Sequence, residues 1–571
     1  MEQRERNLFT ASLKTVKGTK YGFINKQGEF VIKPVFDYAL DFQENGLAIV
    51  EEQNRYGVIN HAGRYVLKPT FQSINPYSEG RAVAMDDNGS HVINEKGQII
   101  TKKPYSFIGS FQEGRAVYST KTDSDYLYGY LNLLGSEVIR AKYRFANDFQ
   151  DGVALVQKMD GTYALINIEG KELHQYTKPF ISYLGNGLLA FKEADDFEAK
   201  AGIMDTVENI LVTPTYSWIQ PFQDGRAAVN ISDDYKNQVG LIDRTGKYYI
   251  KPKYMDIMML GHNRVAVSKA ISEEEPFLGA NYAIATTNGE FLTDFNFTQV
   301  SPYENGYASV SDGKETYFVD KAGVKSRRYP TVNGEGTLTF EGELIQSLVD
   351  QRVTYFTRDG KLVWSQNKVI PLNKQYKVVE KKYQPSNHYL VYYPAVEGMM
   401  DEKAEQKLNE TLLNLSKAEP TSEKQDYTYS ADFNVEFYKE QLLVLEIDGY
   451  FYPLGAAHGM PSKETPSIHL TNGTIYELKD LFNPGSEYVK VLSDIIEKQI
   501  KTDDTYSYVF QDQYKGIKPN QPFYVNNDAL FIYFAPYEIG PYAAGFPTFK
   551  IPFAEIMNMI NKKGEFWQAF H

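Results

Sequence analysis

The strongest constraint on this chain is a cassette that begins at Tyr21-Gly22 and is repeated from Tyr56-Gly57, 35 positions later. Each of these two copies runs through a short apolar stretch to a Lys-Pro pair, Lys33-Pro34 and Lys68-Pro69. The opening residues of its ten copies are Tyr21, Tyr56, Ser90, Tyr128, Tyr163, Ala201, Val239, Tyr282, Tyr317 and Tyr355. A fixed period of about 20 to 50 residues is the signature of a repeat architecture. The first two thirds of the chain is therefore predicted to be an array of one small unit.

Each repeat predicts three short strands. In the second copy they cover residues 47–51, 56–60 and 65–67, and the polar stretches 53–55 and 61–63 between them are typical of hairpin turns. The unit is therefore expected to be a three-stranded antiparallel meander.

The middle strand places two apolar residues side by side, as at Val58-Ile59 and Leu241-Ile242. Neighbours on a strand face opposite sides, so both faces of each small sheet are apolar and the sheets must stack on one another. We expect a mainly β fold class, with about ten repeats over residues 8–365. An open β-solenoid or superhelix is favoured, because the spacing drifts from 34 to 43 positions and the last copies are degenerate. A closed β-propeller is the alternative.

Glycine and proline have separate structural roles in the cassette. The Gly of the opening pair, as at Gly57, is expected to admit another backbone at close range. A second phrase, such as Phe111-Gln112-Glu113-Gly114, ends in a Gly expected to take a positive φ in a turn. The Lys-Pro pairs are expected to end the third strand, since Pro donates no ladder hydrogen bond.

With these features, residues 8–365 resemble bacterial WG-repeat proteins. Their unit has an aromatic-Gly pair, a short apolar strand, Asp or Asn with Gly three residues on, a strand ending in Pro, and an aromatic-x-acidic-Gly phrase. The aromatic residue is mostly Tyr here instead of Trp. The resemblance implies a binding or scaffold array, and it supplies no catalytic residues.

A different domain follows the repeats. Residues 366–375 are expected to be a linker and residues 376–571 an α+β domain. Apolar residues at helical spacing predict helices over Asp401–Ser416 and over Ser486–Lys501, the second with Ser486 as N-cap.

This second domain resembles the DUF3298 domain with a short DUF4163 segment before it. The resemblance rests on Tyr393-Pro394 with the helix that carries Asn409, on 455–459 (Gly-Ala-Ala-His-Gly), on 478–482 (Leu-Lys-Asp-Leu-Phe) and on 537–545. In Gram-positive bacteria, such domains occur as extracytoplasmic sensor parts of membrane-bound anti-sigma factors and beside polysaccharide deacetylase domains. The resemblance therefore implies a ligand-sensing role connected with the cell envelope.

Composition limits the partners. The net charge of −13 predicts neither a nucleic-acid partner nor an anionic membrane surface as partner. The absence of cysteine excludes disulfides, thiolate metal sites and a cysteine nucleophile. No signal peptide and no apolar run of about 18 residues is found, so no integral membrane segment is predicted and a cytoplasmic location is expected. A cell-envelope or extracellular location, implied by the resemblance of the second domain, is the alternative.

The candidate binding residues all lie in the second domain. His458 lies in a loop of small residues, where its ring can meet a ligand or act as a base. The segment from Tyr537 to Gly545 combines two tyrosines and Glu538 with two glycines. The predicted binding set is Tyr452, His458, Tyr537, Glu538 and Tyr542.

No catalytic constellation is recognisable in this set. His458 with Glu464 and His469 matches no established zinc spacing, so neither a metal nor a cofactor is expected.

Repetition without recognisable catalytic residues predicts a non-enzymatic binding or scaffold protein, with a protein or a glycan as partner. The alternative is a hydrolase that acts on cell-wall polymers through the second domain, with His458 and Glu538 as acid or base.

Overall fold

The computed structural model describes residues 8–123, 125–234, 236–418 and 426–571. The chain divides into two compact units. One contains the described residues up to Ala11 together with Tyr21–Ser365, and the other contains Ser12–Lys20 and Gln366–His571.

The described part of residues 9–365 forms ten antiparallel sheets, each of three or four strands that are consecutive in sequence. Their strands, sheet by sheet, are β1 (Phe9–Thr15), β2 (Gly18–Ile24), β3 (Phe30–Phe36); β4 (Tyr38–Ala39), β5 (Leu47–Glu52), β6 (Arg55–Asn60), β7 (Tyr65–Phe71); β8 (Ser73–Ile74), β9 (Arg81–Asp86), β10 (Gly89–Asn94); β11 (Phe107–Ile108), β12 (Arg115–Lys121), β13 (Tyr126–Asn132), β14 (Glu137–Tyr143); β15 (Phe145–Ala146), β16 (Val153–Gln157), β17 (Tyr163–Asn167), β18 (Glu172–Tyr176); β19 (Phe180–Gly185), β20 (Leu188–Lys192), β21 (Ala201–Asp205), β22 (Ile210–Tyr216); β23 (Trp218–Ile219), β24 (Ala227–Asn230), β25 (Val239–Ile242), β26 (Tyr248–Tyr254); β27 (Asp256–Gly261), β28 (Arg264–Ala270), β29 (Ala280–Thr286); β30 (Gln299–Val300), β31 (Tyr307–Ser311), β32 (Glu315–Asp320), β33 (Val332–Asn333); and β34 (Gly336–Glu341), β35 (Leu344–Val349), β36 (Arg352–Thr357), β37 (Leu362–Ser365). A short 3-10 helix, Pro276–Leu278, lies between β28 and β29. The predicted meander is confirmed, and most sheets gain a further strand at their start, such as β4.

The sheets stack as the paired apolar residues predict. In the second sheet, Val50 and Ile59 pack into a core shared with the first sheet. The neighbouring Ile49 and Val58 pack into a core shared with the third sheet. Both faces of the sheet are thus buried, because each face meets a different neighbour.

The array closes on itself. The Tyr355 hydroxyl, in the tenth sheet, donates to the Thr10 carbonyl oxygen in the first sheet at 2.9 Å. The Phe9 ring lies 5.7 Å from the Tyr355 ring, and the Phe30 ring lies 6.5 Å from the Trp364 ring. The expectation of an open superhelix was therefore wrong, and these contacts match the closed β-propeller alternative. Degenerate last copies do not prevent closure, because the first and last sheets still present apolar rings to each other.

The glycine of the opening pair admits a bulge of the third strand. A Cβ on Gly57 would lie 2.6 Å from the carbonyl oxygen of Leu67 and 2.7 Å from the nitrogen of Pro69. The pairing shifts at this point, from Tyr56 opposite Phe71 to Val58 opposite Leu67. The predicted close approach is confirmed. The predicted end of the strand at Pro69 was wrong, since β7 bulges there and continues to Phe71.

The second phrase joins several of the sheets to the sheet that follows. Glu113 and Gly114 have φ angles of 51° and 75°, so the predicted positive φ is confirmed and extends to the acidic residue. The Glu113 Oε2 atom accepts from the Gly152 amide in the following sheet at 2.9 Å. Arg115 donates through Nε to the Ile168 carbonyl, also in the following sheet, at 3.2 Å. Equivalent contacts between successive sheets join Glu79 to Gly114, Asp151 to Asn186, Asp224 to Asn263, Arg81 to Leu133, Arg226 to Thr287, and Arg264 to Lys321.

The second unit contains an eight-stranded sheet, a three-stranded sheet and two principal helices. Its elements, in chain order, are β38 (Val369–Pro371), β39 (Lys377–Ser386), β40 (Tyr389–Glu397), α1 (Glu402–Leu415), β41 (Tyr427–Lys439), β42 (Leu442–Pro453), β43 (Met460–Glu464), β44 (Ser467–His469), β45 (Ile475–Tyr476), α2 (Tyr488–Thr502), β46 (Phe523–Val525), β47 (Ala529–Tyr533), β48 (Thr548–Pro552), α3 (Phe553–Ile556) and α4 (Glu565–Gln568), with 3-10 helices at Leu478–Leu481, Asp504–Tyr506 and Tyr542–Ala544. The predicted linker 366–375 contributes β38 to the larger sheet, where it pairs with β39.

The two faces of the larger sheet carry different layers. Leu408 and Leu412 of α1 pack on one face, against residues of β41 and β42 such as Phe433 and Leu445. On the other face, α2 and the smaller sheet pack against Leu442 and other residues.

The two predicted helices differ in how they begin. Asp401 caps α1, because its carboxylate accepts from the Lys403 and Ala404 amides at 3.0 and 3.2 Å. Helix α2 begins at Tyr488 with Glu487 as N-cap, so the predicted cap at Ser486 was wrong by one residue.

Candidate aromatic binding site

The candidate site lies on the face of β42 that turns away from α1. Leu445 and Ile447 pack in the core beneath α1. Since side chains alternate along a strand, Glu446, Asp448 and Tyr450 lie on the opposite face. Strand β43 pairs with this part of β42, and residues 454–459 connect the two strands.

Two tyrosine hydroxyls fix the connecting loop 454–459. The Tyr452 hydroxyl donates to the Ala456 carbonyl oxygen at 3.0 Å. The Tyr450 hydroxyl accepts from the Gly459 amide at 3.0 Å. Gly459 has no room for a side chain, since a Cβ there would lie 2.5 Å from the Phe451 carbonyl oxygen. The loop therefore presents His458 in a defined position.

Four rings meet here, and we call Tyr450, His458, Tyr537 and Tyr542 the aromatic platform. The His458 ring centroid lies 4.3 Å from that of Tyr542 and 6.3 Å from that of Tyr537. Tyr537 and Tyr542 are 5.6 Å apart. A hydrogen bond between the hydroxyls of Tyr450 and Tyr542 is the largest cause of the raised pKa of Tyr542.

Hydrogen bonds define the tautomer of His458. Its Nδ1 atom lies 2.9 Å from the Gly459 carbonyl oxygen, which can only accept, so Nδ1 donates. In the neutral ring, Nε2 is then the acceptor, and the Tyr537 hydroxyl donates to it at 3.2 Å.

The platform faces solvent although it is aromatic. His458 is exposed, and Tyr537 and Tyr450 are 51% and 40% exposed. Tyr537 also has a φ of 67°, a left-handed conformation that is uncommon for a residue with a bulky side chain. A group of exposed aromatic rings, one of which is held by a strained backbone, marks a candidate binding surface.

The structure separates the predicted site residues into two groups. His458, Tyr537 and Tyr542 come together, although 79 positions separate the first two. Glu538 orders its own loop, since it accepts from Lys518 at 2.9 Å and from the Ala535 amide at 3.1 Å. Tyr452 likewise orders the 454–459 loop.

Tyr450 was missed by the sequence analysis. Its position two residues before Tyr452 in a strand was the available signal, because residues i and i+2 share a face.

No metal ligands were predicted for this site. Glu464 and His469, the two residues considered as ligands beside His458, make contacts of their own. The described residues include no group of three His, Asp or Glu side chains that could hold a metal ion. Burial raises the pKa of Glu464. His469 accepts through Nδ1 from the Thr471 amide at 3.2 Å.

Carboxylates adjoin the platform along β42, and the sequence analysis missed them as well. Lys463 of β43 donates to Glu446 at 2.7 Å. Burial, and then the charge of Glu446, raise the pKa of Asp448 to about 7. Residues 446, 448 and 450 thus form a row of two carboxyl groups and one tyrosine on one face.

A groove of about 790 Å³ lies between α1 and strands β39 and β40. Much of its polar lining is already used. Asn409 pairs with the backbone of Val396 at 2.7 and 2.9 Å, and Glu405 accepts from the Gly398 amide at 2.8 Å. The groove therefore offers fewer free polar groups than its size suggests.

Family models match both parts of the chain. The WG-containing repeat matches residues 21–56, 56–89, 92–120, 128–163, 202–235 and 284–314. The protein of unknown function model DUF3298 matches residues 479–554. The chain contains WG repeats followed by a DUF3298 region. This confirms both resemblances, whereas the DUF4163 segment stays a prediction.

Solved structures show partial similarity to this WG-repeat chain. A DUF3298 family member from Bacteroides fragilis NCTC 9343 is 19% identical, with a TM-score of 0.26 over 32% of this chain and 91% of that one. A DUF3298 family protein from Pseudomonas aeruginosa PAO1 is 18% identical, with a TM-score of 0.27 over 34% and 95%. The WD40 β-propeller domain of Doa1 is 13% identical, with a TM-score of 0.19 over 39% and 95%. No curated protein matches the chain.

Across the described ranges, the structure contains no helix with the length and apolarity needed to cross a membrane.

Proposed function

We propose that this chain is a non-enzymatic binding protein whose second unit binds a glycan on the aromatic platform. The observation that carries the proposal is the grouping of Tyr450, His458, Tyr537 and Tyr542, of which the first three are exposed and Tyr542 is half-buried. The repeat array serves as a scaffold for a protein partner. This role accords with the repeats, because the residues that they share serve to stack the sheets on one another.

The chemistry of the platform suits a sugar. The apolar C–H face of a pyranose packs on an aromatic ring, and its hydroxyls exchange hydrogen bonds with groups at the rim. Tyr537, which is half exposed, offers both a ring face and a hydroxyl. The loop 454–459 is already fixed by Tyr450 and Tyr452, so binding would cost little ordering of the backbone.

The hydrolase alternative receives less support from the geometry. A general base needs a partner whose proton it can take, at about 2.6 to 3.2 Å. The Nδ1 atom of His458 is engaged by Gly459 and its Nε2 atom accepts from the Tyr537 hydroxyl, so a substrate or water molecule must displace Tyr537 before His458 can act as its base. Glu538, its proposed companion, is engaged by Lys518 and the Ala535 amide.

Calorimetric titration of the full chain with peptidoglycan fragments and with acylated sugars tests the proposal. We expect Tyr542→Ala to weaken glycan binding about tenfold or more, which corresponds to about 1.4 kcal/mol. Tyr126→Ala, at a tyrosine of the array that is 50% exposed, is the matched control and should bind as the wild type does. Absence of glycan binding by the wild type, or equal binding by Tyr542→Ala, would show that the platform is not a glycan site.

A further inference from the structure

Strand β43 is attached to the sheet by backbone pairing with β42, and charged side chains lie along this pairing. Five residue pairs join β43 to β42, from Ile447 opposite Glu464 to Phe451 opposite Met460. The Lys463–Glu446 ion pair of 2.7 Å adds a side-chain link between the two strands, and each of its side chains is 20% exposed. On its other side, β43 accepts a hydrogen bond from the Tyr533 hydroxyl at the Lys463 carbonyl, at 3.2 Å.

Asp448 lies at the centre of this group. It is directly opposite Lys463 of β43 and directly opposite Asp432 of β41. Glu446 precedes it by two residues and therefore shares its face. A hydrogen bond joins the carboxyl groups of Asp448 and Glu446, so a proton between them removes their repulsion.

Within the described ranges, the two lysines that contact this group of charges, Lys14 and Lys463, each form their ion pairs with carboxylates other than Asp448. Lys14 is 4% exposed and contacts Asp432 at 2.5 Å and Glu380 at 3.1 Å. Lys463 pairs with Glu446, and its charge lowers the pKa of Asp448 by less than burial and Glu446 together raise it. The negative charge of Glu446 also acts on Glu436 of β41. The Tyr533 hydroxyl of β47 faces the same group and is neutral at physiological pH, because burial raises its pKa.

We propose that β43 and the loop 454–459 form a flap that protonated Asp448 keeps closed and that loosens when Asp448 loses its proton. Release of the flap returns Asp448 to water, where its carboxylate is solvated. Deprotonation therefore favours the released flap by thermodynamic linkage.

The flap contains His458, one of the four rings of the aromatic platform. His458 and Gly459 come immediately before β43, and the Gly459 amide donates to the Tyr450 hydroxyl. Loosening β43 withdraws His458 from Tyr542 and Tyr537, so the platform is complete in acid and disassembled as the pH rises past neutrality. This consequence for ligand binding rests on the proposed function, whereas the movement of the flap does not.

Hydrogen exchange of the full chain measures the flap without a ligand. Protection factors, corrected for the intrinsic pH dependence of exchange, are compared at pH 5.5 and pH 8.0 for residues 454–464, with α2 as internal reference. In the wild type we expect protection of 454–464 to fall about tenfold relative to α2, since a tenfold change corresponds to one pKa unit.

Asp448→Asn fixes the neutral form and should retain protection at pH 8.0. The exposed Asp512→Asn is the matched control and should behave as the wild type does. Glu446→Gln removes the charge that acts on Asp448 and should reduce the fall, which provides a second variant if Asp448→Asn does not fold. Equal pH profiles in the wild type and Asp448→Asn, or a wild-type profile that does not change with pH, would overturn the proposal.

The two proposals can fail separately. A flat exchange profile with intact glycan binding disproves the flap alone. A pH-dependent profile without any glycan binding at pH 5.5, where the flap is closed, disproves the glycan site alone.

Discussion

Gly57→Ala probes why the opening pair of the repeat contains glycine. The new Cβ would lie 2.6 Å from the Leu67 oxygen, 2.7 Å from the Pro69 nitrogen and 2.9 Å from the Lys68 carbonyl carbon. Optimal contacts between carbon atoms are about 3.5 to 4.0 Å, so the β7 backbone must move by about 1 Å. All three contacts are to backbone, so a change of rotamer cannot relieve them.

The expected cost follows from that movement. Overpacking with a backbone shift costs about 1 to 3 kcal/mol, and each ladder hydrogen bond lost at the bulge adds about 1 kcal/mol. We expect Gly57→Ala to lower the free energy of unfolding by about 3 kcal/mol. Gly114→Ala is the matched control, because nothing lies within 4 Å of its Cβ and only its φ of +75° is unfavourable. The control should cost about 1 to 2 kcal/mol.

The fifth sheet suggests a rescue. Ala164 occupies the glycine position there, and its third strand pairs regularly from Tyr163 opposite Tyr176 to Leu165 opposite His174. Tyr163 and Tyr176 are 13 positions apart, whereas the equivalent Tyr56 and Phe71 are 15 apart. Deleting Lys68 and Pro69 from Gly57→Ala removes the two extra residues and should recover most of the loss.

Calorimetric unfolding and hydrogen exchange across residues 55–71 measure both variants. The reasoning is refuted if Gly57→Ala costs no more than Gly114→Ala.

Three further predictions concern closure, sheet-to-sheet contacts and pH. Tyr355→Phe removes the hydrogen bond from the tenth sheet to Thr10 and should cost about 1 to 2 kcal/mol, with faster exchange in residues 9–11; unchanged exchange there would contradict the closed array. Glu113→Ala frees the Gly152 amide, which is on an exposed turn, and should cost less than about 1 kcal/mol while exchange at Gly152 rises; a larger loss measured by calorimetry would mean that Glu113 has a role beyond this bond. Because the folded state raises the pKa of Asp448 to about 7, its stabilising contribution is complete below about pH 4 and is lost as the pH rises through 7. Asp448→Asn should therefore stabilise the chain at pH 8, on the order of 1 to 2 kcal/mol, and leave it unchanged at pH 4; equal denaturation midpoints at pH 8 would contradict this.

Much of the array could be predicted from the sequence. The paired apolar residues of the middle strand require both faces of each sheet to be covered, and the alternation of Ile49 and Val58 with Val50 and Ile59 between two cores confirms this. The acidic residue of the second phrase was not understood, because Glu113 meets Gly152 only when the next sheet is in place.

The candidate site was less accessible to sequence reasoning. His458 and Tyr537 were named for their separate loops, but no local pattern indicates that the two loops meet. Glu446 and Asp448 look like ordinary polar positions of a half-exposed strand. Burial beside β43 and the position of Asp432 on the neighbouring strand both help to raise the pKa of Asp448. Each of these two causes depends on how the strands pair.

The sequence by itself determined the repeat, its strands, its glycines and the need for stacking, because these follow from side-chain periodicity and from backbone sterics within one unit. Only the tertiary structure decided that the array closes, that the predicted linker 366–375 contributes a strand to the larger sheet of the second unit, and that four rings of the second unit form one platform. The physical reason is the same in each case. Closure and site assembly depend on contacts between residues far apart in sequence, and their geometry is fixed only when the intervening sheets have packed.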